Sequence, residues 1–299
     1  MRRTSGTVWR LAAGAFTVAL FAACSTSPTT SPQTPVLSQA EASAVAEVVT
    51  TDAASLAGGV TLDVATGMPF AVAPMPGAPV MPVTSASCTP TRTPSPVTNS
   101  DGDPVPDSVN IDFTGCTFTS DGHTATLSGS IDLVDPTPQT TDRAIRTRSR
   151  DFTRSVTNTV TGTTRSVVEN GVRSAVGTAD QIQVTDTMTT DYTFATNATA
   201  SHVRKWLATF TADQAGSIQM GSPLPSGTLS ISGSSTWTSG TNSYSLAATT
   251  TAPLHFNTSC TVEPRFDSGT LSIVVTKGTA TTTVTIEFTA CGQYKVTRS

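Results

Sequence analysis

The chain has 299 residues, of which 37% are hydrophobic and 13% charged, and threonine (59) with serine (34) makes up close to a third of it. Threonine favours strands because its branched β-carbon packs well on a pleated surface, so this composition is typical of exported β-proteins rather than of mainly helical ones. The net charge at pH 7 is −4 with only three lysines, which argues against nonspecific nucleic-acid binding, since that needs a basic surface.

Residues 1–23 have the three parts of an export signal. Three arginines lie in the first ten residues, an apolar run extends from Leu11 to Ala22, and small residues precede Cys24. The apolar run is too short for a stable membrane-spanning helix. The segment resembles the leader of bacterial lipoproteins, and that resemblance implies removal of residues 1–23 and a diacylglyceryl thioether on Cys24, with acyl chains such as palmitate.

The resemblance also implies a location. Two or three acyl chains make a stable anchor, at about 0.8 kcal/mol per buried methylene, so we expect a lipid-anchored protein on the extracytoplasmic side of a bacterial cell envelope. Ser25 follows the cysteine, and by the same resemblance this favours the outer membrane if the host has one. Loss of the leader takes the net charge from −4 to −7, because the leader contains three arginines and every acidic residue follows Cys24. The alternative is a plain secreted protein with an unpaired Cys24.

Three segments precede the β-rich part of the chain. Residues 24–37 are rich in Ser, Thr and Pro and are predicted to form a disordered tether. Residues 38–57 are predicted to form an amphipathic helix, since Ser38 and Glu41 make a capping box and apolar residues recur at helical spacing. We expect this helix to cover an open edge or end of a sheet, with partner binding as the alternative. Residues 58–86 carry five prolines between 68 and 82 and are predicted to be an extended linker.

From residue 87 onward, β-rich runs alternate with turn signals. Eleven strands are predicted: Val109–Phe113, Ala125–Val134, Ala144–Val156, Thr163–Val172, Gln181–Phe194, Val203–Thr211, Thr228–Trp237, Ser243–Thr250, Leu254–Asn257, Thr270–Thr276 and Thr282–Thr289. The dipeptides between or within these runs include Asp135-Pro136, Ser239-Gly240 and Asn170-Gly171, the last of which favours a tight hairpin. Short links without intervening helices predict an all-β antiparallel meander over residues 87–299. The sequence leaves open whether it forms a curved sheet, a sandwich or a barrel.

Four cysteines follow the leader: Cys88, Cys116, Cys260 and Cys291. An even number in an exported chain indicates two disulfides, for which three connectivities exist. The sequence from Val109 to Cys116 matches that from Val284 to Cys291, so residues 87–116 and 259–291 form a repeated unit. We therefore predict pairing within each unit, Cys88 to Cys116 and Cys260 to Cys291. A zinc site is the alternative, but the chain has no C-x-x-C pair.

An acidic loop precedes the first predicted strand. Asp101, Asp103 and Asp107 lie at alternate or nearby positions, and oxygen ligands of this kind suit a hard cation such as calcium. The loop resembles the acidic calcium loops of thrombospondin type 3 repeats, but Asn99 stands where an acid is usual and Pro104 where glycine is usual. The sequence thus predicts a metal site at these three aspartates, with a solvated acidic turn as the alternative.

Arg146, Arg148 and Arg150 alternate along one predicted strand, and Arg154 shares their face if the strand stays regular. Such a ladder, about 14 Å long at the usual strand rise, predicts a wall for an anionic ligand such as a lipid head group or a glycan. The alternative is a solvent-facing surface whose arginines pair with acidic residues on neighbouring strands.

No catalytic constellation is evident. The three histidines are isolated in sequence, and neither H-E-x-x-H nor G-x-S-x-G occurs. The sequence therefore favours a non-enzymatic envelope or surface protein, with no cofactor unless calcium binds. The alternatives are a carrier or sensor that holds a hydrophobic or anionic ligand in a curved-sheet cavity and, with no motif behind it, an envelope hydrolase. Protein partners, oligomeric state and the specific ligand are not predicted.

Overall fold

The computed structural model describes residues 36–59, 62–63, 68–69, 71–72, 81–82, 90–120, 122–219 and 222–299. The leader, Cys24, nearly all of the tether, most of the linker and Cys88 lie outside the described residues.

The described residues contain one helix and sixteen strands. The helix, α1, spans Gln39–Gly59. The first four strands are two residues long: β1 Leu62–Asp63, β2 Met68–Pro69, β3 Ala71–Val72 and β4 Met81–Pro82. The others are β5 Thr91–Thr93, β6 Ser108–Ser120, β7 His123–Val134, β8 Ile145–Asn158, β9 Thr164–Gly177, β10 Gln181–Thr193, β11 Thr199–Ala212, β12 Gly227–Ser239, β13 Asn242–Phe256, β14 Phe266–Lys277, β15 Ala280–Ala290 and β16 Gln293–Arg298.

Strands β5 to β16 form one twelve-stranded sheet in which every strand pairs with its neighbours in sequence. All of these pairs are antiparallel. The predicted all-β meander with one N-terminal helix is therefore confirmed. The sheet is not closed, because β5 and β16 are its two ends and do not pair with each other. Strands β1 with β2, and β3 with β4, form two separate small sheets.

Two predicted boundaries are wrong. Asn170 and Gly171 do not form a hairpin but lie inside β9, where Gly171 pairs with Met188 of β10. The two strands predicted between residues 243 and 257 are one strand, β13, whose pairing with β14 shifts register three times between Thr250 and Phe256. In both places the local turn or break signal is overridden by pairing to long neighbouring strands, in β13 with shifts of register. Strands β5 and β16 were not predicted.

Helix α1 begins with the predicted capping box. The Ser38 hydroxyl accepts a hydrogen bond from the Glu41 backbone N–H at 3.2 Å, and the Glu41 carboxylate accepts one from the Ser38 backbone N–H at 2.8 Å. These bonds satisfy two backbone donors that a helix start would otherwise leave unpaired. The Tyr244 hydroxyl of β13 also donates to Glu41 at 2.7 Å, so the same carboxylate joins the helix start to the sheet.

The helix packs on a face of the sheet and contacts the end strand β16 as well as β10, β11, β12 and β15, so it covers more of the sheet than the expected edge or end. Its buried apolar side chains share one core with residues of strands β6 to β15. Helix residue Glu47 pairs with Arg165 of β9 at 2.9 Å, while Val36, just before the helix, bonds to Thr282 of β15 at 2.9 Å. Burial and the charge of Glu47 raise the pKa of Tyr294 of β16, and the charge of Arg165 lowers it, so both charged groups lie near β16. Because β9 and β16 are seven strands apart in the sheet, the sheet must curve around the helix, and we call the face toward α1 the inner face.

Along most strands the burial pattern alternates, as a sheet with one covered face requires. In β11, for example, the inner-face residues from His202 to Phe210 are buried, while Val203, Lys205 and Leu207 between them are exposed. In the part of the chain that the structure describes, no helix combines the length and apolar character that crossing a membrane requires.

Candidate functional site

The predicted arginine ladder is interrupted by a β-bulge in β8. The pairing of β8 with β7 and with β9 shifts register around Asp151, which has a positive φ of 48°. Gly129 of β7 faces this bulge, and a β-carbon there would lie 2.1 Å from the Asp151 carbonyl oxygen. The Asn170 side chain binds the bulge from β9 by accepting from the Asp151 N–H at 2.8 Å and donating to its carboxylate at 3.0 Å. The strand is therefore not regular, and side chains beyond the bulge change face.

This change of face separates Arg154 from the other three arginines. Arg146, Arg148 and Arg150 are exposed on the outer face, whereas the Arg154 side chain is only 11% exposed and pairs with Glu169 at 2.7 Å. Arg150 forms an ion pair with Asp132 of β7 at 2.8 Å. The outer ladder consists of three arginines, and it cannot contact a ligand held on the inner face.

Sequence reasoning missed a buried ionic network between α1 and the inner face. The Asp52 carboxylate of α1 accepts hydrogen bonds from Tyr192 of β10 at 2.6 Å and from Arg204 of β11 at 2.7 Å. His202 Nδ1 lies 2.5 Å from the other Asp52 oxygen, and since a carboxylate only accepts, the imidazole donates through this nitrogen. Arg204 also donates to Thr190. Asp52, His202 and Arg204 are at most 1% exposed.

The network continues across the sheet from Arg204. Asp186 of β10 accepts from Arg204 at 2.6 Å and from Arg173 of β9 at 2.9 Å. Arg173 donates to the Ser55 carbonyl of α1 at 3.0 Å, and the Ser55 hydroxyl donates to Glu169 of β9 at 3.2 Å. Through Glu169 the network reaches Arg154 of β8. It therefore ties one helix to four consecutive strands.

The carboxylates and the guanidinium groups of this network are equal in number. Three carboxylates (Asp52, Asp186 and Glu169) face three guanidinium groups (Arg154, Arg173 and Arg204). Burial alone would raise the pKa of Asp52, but Arg204 and His202 offset it and hold that pKa below its ordinary value. Burial and the Asp52 charge raise the pKa of Tyr192 well above its ordinary value, so its hydroxyl remains a donor. This network positions the helix, and its central side chains, Asp52, His202, Arg204 and Asp186, are at most 1% exposed.

The sequence did contain a signal for this network. In α1, Asp52 lies four residues after Val48 and four before Leu56, within the apolar stripe. In β11, Arg204 is separated from Trp206 and Phe210 by even numbers of positions, so a strand places all three on the same face. A charged residue in phase with apolar core positions must find a partner in the core.

The second cluster consists of three aspartates in two loops. Asp101 and Asp103 precede β6, Asp135 follows β7, and carboxylate oxygens of the three lie within 4.8 Å of one another. Asp103 is 5% exposed and Asp135 2%. Burial, together with the Asp101 and Asp135 charges, raises the pKa of Asp103 against the lowering effect of the Val105 and Asp142 backbone N–H groups. The loops form a single acidic site.

This cluster differs from the predicted calcium set at one residue. Both oxygens of Asp107 are engaged by Ser100, from its N–H at 2.8 Å and its hydroxyl at 2.7 Å, and these bonds lower the pKa of Asp107. Asp107 therefore holds the loop closed, and Asp135 takes the third place in the cluster. The sequence could not identify Asp135 because it lies 32 positions beyond Asp103.

A cavity of about 340 Å³ adjoins this cluster. Asp103, Pro104, Thr141, Asp142, Arg143 and Gln219 line it. The Arg143 guanidinium donates to the Ile218 carbonyl at 2.5 Å. Of the three clustered aspartates, Asp103 contributes to the lining of this cavity.

Sheet register also gives His255 acidic partners that are distant in sequence. Its Nδ1 lies 2.7 Å from Asp267 of β14, and its Nε2 lies 2.9 Å from Asp213, just after β11. The third histidine, His123, contacts the Asn158 amide at 3.4 Å. His255 and its two aspartates form a partly exposed clasp across the loop ends of three strands.

The predicted pairing of Cys260 with Cys291 is confirmed. Cys116 is also disulfide-bonded, but its predicted partner Cys88 lies outside the described residues, so that pairing stays a prediction.

Comparisons with known proteins found no counterpart. No family model matches the chain, and neither a curated protein nor a solved structure matches it significantly. The geometry of the chain's own residues is therefore the basis for any functional proposal.

Proposed function

We propose that the protein is a non-enzymatic, lipid-anchored component of a bacterial cell envelope, with a rigid β body carried outside the cytoplasm. The leader and Cys24 support the anchor, and the packing of α1 on the inner face is the observation that favours a rigid body over a carrier. A carrier of the curved-sheet type would hold its ligand there, but Val45, Val48, Val49 and Leu56 of the helix are fully buried in that place. The proposal assigns no catalytic residue.

The buried network supports the rigidity of this body. Removing one partner of a buried ion pair costs about 3 to 5 kcal/mol, because the other charge is left uncompensated. A helix bound by Asp52 and Ser55 to strands β9, β10 and β11 is therefore costly to displace. The Cys260–Cys291 disulfide agrees with an oxidising compartment, as the leader sequence implies.

Lipid attachment at Cys24 is tested in a bacterial host that expresses the full chain with radiolabelled palmitate. We expect the wild-type protein to incorporate label and to enter the detergent phase of a two-phase extraction. Cys24→Ser is the matched control, and it should remain unlabelled and in the aqueous phase. An exported wild-type protein that carries no label and stays in buffer would contradict the anchor.

The outer arginine ladder supports a second function, binding of an anionic surface. Arg146, Arg148 and Arg150 project from one strand at a spacing of about 7 Å, and among the described residues only Arg150 of the three forms an ion pair. We test this by flotation with vesicles of phosphatidylglycerol or of phosphatidylcholine. Binding to the anionic vesicles should fall with added salt and in the double variant Arg146→Gln/Arg148→Gln, while Lys205→Gln, an exposed cation on β11, should bind like wild type. Equal binding to both vesicle types would rule it out.

A further inference from the structure

The three aspartates of the acidic cluster share one hydrogen-bonding pattern. In each, Oδ1 accepts the backbone N–H two residues later: Asp103 N to Asp101 at 3.0 Å, Val105 N to Asp103 at 2.6 Å and Thr137 N to Asp135 at 2.7 Å. In each, Oδ2 is shielded from solvent and has no hydrogen-bond partner. Three carboxylates are thus held in fixed orientations, and each leaves one buried oxygen unused.

Three unpaired carboxylate oxygens in one small volume are electrostatically unfavourable. An unsatisfied buried polar group costs about 1 to 3 kcal/mol, and more when it is charged. The oxygens also repel one another, since the groups that carry them lie within 4.8 Å of each other. Among the described residues that line the adjoining cavity, the one cationic side chain is Arg143, and it donates to the Ile218 carbonyl. Within the described ranges of the chain, no cationic side chain forms a hydrogen bond with these three Oδ2 atoms.

We propose that Asp101, Asp103 and Asp135 bind one calcium ion through their free Oδ2 atoms. The donor set is oxygen alone, which suits a hard cation, and calcium accepts six to eight oxygens in irregular geometry. Water would supply the remaining ligands, and the cavity of about 340 Å³ that Asp103 lines adjoins the cluster. Magnesium fits less well, since it requires a near-ideal octahedron and gives up its own waters reluctantly.

Calcium at this position would join two parts of the chain. Asp101 and Asp103 belong to the loop before β6, and Asp135 belongs to the loop after β7. The Thr141 hydroxyl already donates to the Asp101 carbonyl at 3.3 Å across the same two loops. The ion would lock this corner of the sheet, so that calcium outside the cell stabilises the folded protein. The proposal does not depend on the lipid anchor.

The test uses purified chelator-treated protein, with calcium chloride as the probe and sodium chloride of equal ionic strength as the blank. Calorimetric titration should give one ion per chain with a Kd of about 10⁻⁴ to 10⁻³ M, as in other extracellular sites. At 10 mM calcium the Tm should rise by about 3 to 8 °C. The same concentration of magnesium should give less than half of that shift.

Two isosteric variants locate the site. Asp135→Asn should weaken calcium binding at least tenfold, whereas Asp107→Asn should bind within twofold of wild type. If Asp135→Asn fails to fold, Asp101→Asn replaces it, since Asp101 is only partly buried. No calcium-dependent shift in wild-type protein, an equal shift with magnesium, or a loss of binding in Asp107→Asn but not in Asp135→Asn would each overturn the proposal.

Discussion

The Asp52 carboxylate of α1 and the Arg204 guanidinium of β11 form an ion pair at 2.7 Å, and neither side chain is more than 1% exposed. This pair joins the helix to a sheet in which each strand pairs with its neighbours in sequence. Because Arg204 also binds Asp186, the position of the helix is coupled to the pairing of β10 with β11. The helix is therefore an integral part of the β body.

Replacement of Asp52 by asparagine should strongly destabilise the protein. The change leaves Arg204 buried with one anionic partner instead of two, so we expect the free energy of unfolding to fall by about 3 to 5 kcal/mol. Glu47→Gln is the matched control on the same helix, because Glu47 and its partner Arg165 are 26% and 37% exposed and a pair of that kind contributes less than about 1 kcal/mol. Urea unfolding followed by the fluorescence of the buried Trp206 and Trp237 measures both. Equal losses in the two variants would contradict a special role for the buried network.

Removal of the Cys260–Cys291 disulfide should destabilise the protein, because it raises the conformational entropy of the unfolded chain. The bridge closes a loop with a sequence separation of 31, and the chain-entropy relation gives about 3 to 4 kcal/mol for such a loop. The double variant Cys260→Ala/Cys291→Ala should lose that amount in denaturant unfolding, while Cys24→Ser should match wild type. Peptide mapping without reductant checks the connectivity, and a peptide that links Cys88 to Cys260 would refute pairing within each repeated unit.

The His255 clasp should make stability depend on pH. The hydrogen bond to Asp213 raises the pKa of His255 above its ordinary value, burial opposes this, and Asp267 adds to the rise. Since the folded pKa exceeds the unfolded value of about 6.5, the clasp stabilises fully below pH 6.5 and loses its contribution as pH rises through the folded pKa.

Comparison of wild-type protein with His255→Gln at pH 6.0 and pH 8.5 measures this contribution. The stability difference should be larger at pH 6.0 and should stay under about 1 kcal/mol, because the three side chains are 27% to 48% exposed. An NMR titration of the His255 ring with a midpoint below 6.5, or a difference that grows with pH, would show that the aspartates do not hold a charged imidazole.

Local sequence was sufficient for the elements but not for their irregularities. The capping box at Ser38 and Glu41 and most strands follow from patterns a few residues long, and these predictions are confirmed. Asn170-Gly171 has the pattern of a hairpin, yet it lies in β9 because Gly171 pairs on both sides, with Ser149 and Met188. Long strands on either side outweigh the preference of one dipeptide.

At the acidic cluster and the arginine ladder, too, the sequence predicted what neighbouring residues determine and missed what distant strands and loops determine. The sequence indicated Asp101 and Asp103, which are close in the chain, but it paired them with Asp107 in place of Asp135. It likewise placed Arg154 with the outer ladder, because the bulge at Asp151 depends on a glycine in the neighbouring strand.

By itself, the sequence predicted an export signal and determined the β-rich fold class and the order of most strands, because these depend on residue type and short-range periodicity. The tertiary structure decided where α1 packs, which charges meet beneath it and which aspartate completes the acidic cluster. Those outcomes depend on how twelve strands curve, and curvature brings together residues as far apart as Asp52 and Arg204. A buried charge is stable only beside its partner. Because that partner lies in a different element, the sequence of one strand or loop cannot identify it.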